Sequence, residues 1–166
     1  MERYCLNRDD RQSRASESSR EEAARVLQNL LGSQRLGVLS THHNGAPYAS
    51  LVAFAASDDL YSILFATPKA TRKFANITAD PRVAVLIDNA REYPVDFEEA
   101  AATTAVGEAI ELTGEEREEA AVRFCALHPH MRDFVASPST ALVSIEVESY
   151  YVVRRFQHVT ELHIPR

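Results

Sequence analysis

The segment Thr67-Pro68-Lys69-Ala70-Thr71-Arg72-Lys73 concentrates the chemistry this chain can offer. Thr67 fits an N-cap and Pro68 the first helical position, which predicts a short helix from there to about Ala79, ended by Asp80-Pro81. Lys69, Arg72 and Lys73 then stand in its first turns, where the macrodipole is positive and acidic residues are normally favoured. An anion docked at that end would relieve the conflict, because free N–H groups at a helix start together with Lys and Arg make a phosphate site. The competing account is a basic helix face turned to solvent. No Gly-rich Walker loop accompanies the cations, so the pattern is not that of a nucleotide-binding P-loop. Across the whole chain 18 Lys and Arg face 24 Asp and Glu, a net charge of −6 with pI near 5.5. A general field that would gather nucleic acid or an anionic membrane is therefore excluded, and any anion must be held locally.

Other constellations are weaker. His128-Pro129-His130 has the look of a metal pair, but no carboxylate or cysteine stands at a ligand spacing, and a histidine at the end of a helix is the simpler reading. No metal site is expected. His158 and His163 lie in an extended C-terminal segment that could reach a cofactor, and imidazole is a haem ligand. Ser, His and Asp are all present, yet no G-x-S-x-G elbow marks a hydrolase. Cys5 and Cys125 are too far apart in sequence for a CxxC motif and too few for a disulfide framework. With a charged start, MERYCLNRDDR, and no apolar run near the length of a membrane helix, a soluble cytoplasmic protein is expected.

These residues need elements to position them. A length of 166 residues suits one domain, placed at 20–166, with 1–19 expected to form a flexible polar arm. Ser19 and Glu22 form a capping box before the Ala23, Leu27, Leu30, Leu31 stripe of a first helix that Gly32 closes. Short apolar segments then follow: Leu36–Thr41 and Tyr48–Ala56 joined through Asn44-Gly45, Leu60–Ala66, Val83–Ile87 and Thr103–Leu112. Thr113 and Glu116 make a second capping box before a helix burying Ala120, Ala121, Phe124 and Leu127. From Ala141 to Glu148 apolar and polar residues alternate, and extended structure continues from Tyr150 to Leu162. Strands at short spacing, broken by single helices and without βαβ alternation, predict a mainly β, α+β fold: an antiparallel barrel with helical decorations.

The stretch Pro47-Tyr-Ala-Ser-Leu-Val-Ala-Phe54, then Leu60–Thr67, Thr71-Arg72-Lys73 and Asp80-Pro81-Arg82-Val83 resembles the core of the pyridoxamine 5′-phosphate oxidase-like, FMN-binding split-barrel superfamily. The likeness runs from about Ala24 to Leu162. It implies a split barrel that forms a homodimer, with FMN in clefts between subunits and a small-molecule substrate or electron donor. By position, Ser50, Leu51, Val52 and Ala53 would lie along the flavin ring and Ala66 and Thr67 beside the ribityl chain. Thr71, Arg72 and Lys73, with Lys69 nearby, would hold the phosphate; Phe156 and Gln157 would close over the partner's flavin. The vitamin B6 oxidase itself has a lysine near the end of the flavin-facing strand, a C-terminal Arg-x-His, and a glutamine on FMN. This chain has Ala55, Glu161-Leu162-His163 and Ala102 at those places, so the resemblance implies an FMN-dependent oxidoreductase of another substrate. The alternative is a haem-binding or haem-degrading protein, since a branch of the superfamily binds haem on this scaffold, with His158 or His163 as axial ligand.

Overall fold

In a computed structural model of the chain, the described residues are 8–90, 92, 100–154 and 158–165. Their order is α1 (Arg8–Ser33), β1 (Leu36–His43), β2 (Ala46–Ala56), β3 (Ser62–Pro68), α2 (Arg72–Ala79), β4 (Arg82–Asp88), β5 (Ala101–Glu111), α3 (Gly114–Leu127), a 3₁₀ turn (Pro129–Met131), α4 (Arg132–Ala136), β6 (Thr140–Arg154) and β7 (His158–His163). The sheet runs β3-β2-β1-β4-β5-β6-β7, and β3 also pairs with β6. Every pairing is antiparallel, so six strands close into a barrel and β7 extends it beyond β6. This is the α+β antiparallel barrel that the strand pattern predicts, in the split form that the resemblance implies.

Local chemistry fixes the first hairpin. Asn44 and Gly45 have φ of 49° and 80°, the left-handed pair that a two-residue turn with the strands' own twist requires. That turn sets the register His43↔Ala46 through Leu36↔Ala53. The barrel interior is filled by Leu39, Phe54, Ile63, Phe65, Val85, Ile87, Val143, Ile145 and Tyr150, with Ala23, Leu27 and Leu31 of α1 covering one end. Each of the Val, Leu, Ile and Phe side chains contributes about 1.5–3 kcal/mol by leaving water. A second cluster lies outside the barrel, where Phe124 of α3 and Val135 of α4 cover Ala55, Leu64 and Leu142. The Tyr150 hydroxyl donates to Leu60 O at 2.9 Å, so the largest buried side chain keeps its polar end satisfied. At Gly107 a Cβ would stand 2.0 Å from Glu146 O; the glycine permits the β5–β6 bulge there.

Two boundaries and one capping bond differ from the sequence expectation. The first helix begins at Arg8 rather than at the Ser19 cap. Ser19 and Glu22 are engaged elsewhere: Arg154 donates to Ser19 O and Oγ at 3.3 and 3.2 Å and pairs with Glu22 at 2.7 Å. Thr113 precedes α3 without a side-chain cap, although Glu115 and Glu116 do occupy its first turn. The third difference concerns the candidate site.

Candidate functional site

The helix carrying the cations starts four residues later than expected. Thr67 and Pro68 finish β3, paired with Ala141 and Thr140 of β6, and Thr71 is the true N-cap of α2. Pro68, lacking an N–H, costs the ladder nothing at a strand's last position. Thr71 Oγ1 donates to Pro68 O at 2.8 Å and accepts from Phe74 N at 3.4 Å. Its single hydroxyl proton being used, it also accepts from Thr67 Oγ1 at 3.1 Å. Thr67, 1% exposed, and Thr71 thus form a saturated strut between strand end and helix start.

This shift sorts the cations. Lys69 falls in the turn before α2 and pairs with Glu111 at 2.7 Å. Arg72 and Lys73 are the first two residues of the helix, which has no acidic residue in its first turn. Among the described residues neither side chain has an ion-pair partner, and their backbone N–H groups are the ones an α-helix leaves without an internal acceptor. Partial burial pushes the Lys73 ammonium below its ordinary pKa, as expected of a partly desolvated cation without a counter-charge among the described residues. The Arg72 guanidinium lies over the Tyr48 ring of β2, 5.2 Å from its centroid. Asn76 of α2, 3% exposed, donates to Thr41 Oγ1 at 3.0 Å, and Thr41 Oγ1 donates to Tyr48 O at 3.4 Å.

The remaining predicted residues flank a gap in the barrel wall. β2 and β3 pair only at Phe54↔Phe65, Ala55↔Leu64 and Ala56↔Ile63. Beyond Phe54 they part, so Ser50, Leu51, Val52 and Ala53 keep β1 as their one strand neighbour. Ala66 and Thr67 stand on the other lip, with the start of α2 just past them. Ser50 Oγ is buried without a hydrogen-bond partner among the described residues. An orphaned hydroxyl, an unpaired strand edge and two unneutralised cations are groups for which a protein normally finds partners. Together they suit a ligand with a hydrogen-bonding planar part and an anionic end.

The other candidates separate from this place. His128, 3% exposed, caps α3 and bonds Phe54 O through Nε2 at 2.8 Å while its ring lies against Phe124, 4.6 Å between centroids. It is a structural histidine, as the helix-end reading held. Among the described residues no group of His, Cys, Asp and Glu could hold a metal. His163 Nδ1 meets Ser149 Oγ at 3.1 Å on the β6–β7 edge, and His158 is exposed on β7. Phe156 and Gln157 lie outside the described residues. Tyr48, Thr41 and Asn76 were not singled out from sequence, although the Asn44-Gly45 turn already implies that Thr41 faces Tyr48.

The chain's relatives agree with this architecture. A family model described as pyridoxamine 5′-phosphate oxidase matches residues 21–154. No curated protein matches the sequence. Among solved structures, a haem-binding protein from Mycobacterium smegmatis is similar at TM-score 0.74 and 18% identity, over 85% of this chain and 57% of that one. A putative pyridoxamine 5′-phosphate oxidase from Listeria innocua is similar at TM-score 0.60 and 20% identity, over 79% and 97%. A FAD-binding protein from Mesorhizobium loti is similar at TM-score 0.58 and 19% identity, over 75% and 88%. The chain thus spans little more than half of the mycobacterial protein.

Proposed function

The chain belongs to the pyridoxamine 5′-phosphate oxidase family, and from that premise we propose that it binds FMN and acts as a flavin-dependent oxidoreductase. The observation that carries the proposal is the gap between β2 and β3 with the unneutralised Arg72 and Lys73 beside it. The phosphate of FMN would be held by these two side chains and by the N–H groups of Arg72 and Lys73 at the start of α2, and the ring by the open edge Ser50–Ala53. Thr71 supports the phosphate indirectly, since its hydroxyl is already saturated by Thr67, Pro68 and Phe74. When bound, FMN supplies the electron-transfer chemistry; the protein supplies position and electrostatics. Flavin binding in the Mesorhizobium relative is compatible with this reading.

The substrate differs from pyridoxamine phosphate. Ala55, where the oxidase carries a lysine, is 4% exposed and packed beneath α3. A second copy of the chain completes the proposed site. Leu51, Val38 and Leu86 stand side by side on the outer face of β2, β1 and β4, and Leu51 and Leu86 are 62% and 42% exposed. With Leu36 they line a cleft of about 350 Å³ whose apolar row a homodimer would cover. None of the described helices is long and apolar enough to cross a membrane, and we place the protein in the cytoplasm.

A second reading, haem in place of FMN, draws on the likeness to the mycobacterial haem-binding protein and on His163 at the β7 edge. The cleft beside His163 is lined by Arg20, Glu161 and Leu162, charged where the faces of a porphyrin need apolar walls, which favours FMN. Absorption spectra after reconstitution separate the two: flavin bands retained through gel filtration support the first reading, and a Soret band with no flavin retention overturns it.

A further inference from the structure

We infer that Tyr48 is a positioning residue for phosphate recognition: its ring holds the Arg72 guanidinium at the lip of the gap. The inference deepens the FMN reading above and rests on it. Two separate contacts join Tyr48 to α2. Its ring lies under Arg72, 5.2 Å from Cζ to the centroid. Its carbonyl accepts from Thr41 Oγ1, which in turn accepts from the buried Asn76 of the same helix. The second contact ties the helix to β1 where Thr41 faces Tyr48, and the first then fixes where the guanidinium lies. Arg72 has no carboxylate partner among the described residues, so the ring is what restrains an otherwise exposed side chain. A pre-ordered guanidinium loses less freedom when it meets an anion than one that sweeps through solvent, and the saving is realised only by ligands that carry the phosphate.

Dissociation constants for FMN and for riboflavin, which lacks the phosphate, test this on the full chain by flavin fluorescence. The ratio of the riboflavin constant to the FMN constant reports phosphate recognition alone. Tyr48→Ala is expected to lower that ratio about three- to tenfold while leaving riboflavin binding unchanged, and Tyr48→Phe, which keeps the π-face, to hold it within about twofold. In an Arg72→Ala background, Tyr48→Ala should add nothing further. An unchanged ratio in Tyr48→Ala, or an equal loss with and without Arg72, overturns the inference while the FMN reading stands. A wild-type protein that does not distinguish FMN from riboflavin overturns both. Should Tyr48→Ala fail to fold, Tyr48→Leu preserves bulk without a π-face and is expected to behave as the alanine would.

Discussion

The two halves of β2 make opposite use of one strand. From Phe54 to Ala56 it is paired with β3, and Phe54 O is additionally taken by His128. Phe54 is 1% exposed and Ala55 4%. Among the described residues, from Ala46 to Ala53 the strand has β1 alone beside it, Leu51 is 62% exposed, and Ser50 Oγ is buried without a partner. Polar groups are satisfied where the strand builds the barrel and left over where it borders the gap. An unsatisfied buried group costs about 1–3 kcal/mol, so leaving the Ser50 hydroxyl unpartnered beside the gap is meaningful when a ligand completes it. The same contrast separates the cations: Lys69 is neutralised by Glu111, whereas Arg72 and Lys73 wait at the start of α2.

The contrast can be broken from the closed side first. His128→Ala removes a buried ring packed on Phe124 and orphans Phe54 O, and should destabilise the fold by about 2–4 kcal/mol. Denaturant unfolding measures the loss; a change below about 0.5 kcal/mol would show that the closed half does not depend on that bond.

On the open side the expected effects are on ligand affinity. Burial lowers the Lys73 pKa from the ordinary lysine value of 10.5, so in the free folded protein this group loses its proton at a lower pH than in the unfolded chain. The unfolded state then binds more protons in that window, and this group's contribution to stability rises with pH through it. Phosphate binding does the reverse, since it needs the ammonium and raises its pKa again. FMN affinity should therefore fall by about tenfold as pH rises through the lowered Lys73 value, starting below the range of an exposed lysine. Lys73→Arg should remove that alkaline limb, and titrations across pH with riboflavin as control would reveal its absence.

Much of this architecture is written in local pattern. The Asn44-Gly45 turn, the alternation after Ala141 and the apolar stripe of α1 each state their element within a few residues. The basic segment is legible for the same reason, because three cations in an acidic chain stand out by type and spacing. Its true helix start is not legible. Thr67-Pro68 and Thr71 both satisfy capping rules, and what decides between them is the long-range pairing of β3 with β6, which holds Thr67 in the sheet. The Ser19-Glu22 box fails similarly, since its groups are claimed by Arg154, far away in sequence. The gap between β2 and β3 and the placement of Tyr48 beneath Arg72 depend on where strands part and on how α2 lies, neither of which has a local signature.

The most direct measurement of the central claim is the FMN dissociation constant of the Arg72→Ala, Lys73→Ala double variant, set beside its riboflavin constant and its unfolding midpoint. Losing two charge-assisted contacts to one phosphate should weaken FMN binding about 100-fold or more. Riboflavin affinity should be unchanged and the midpoint nearly so, since neither side chain has an ion-pair partner to lose within the described residues. FMN bound as tightly by the variant as by the wild-type chain would contradict the account.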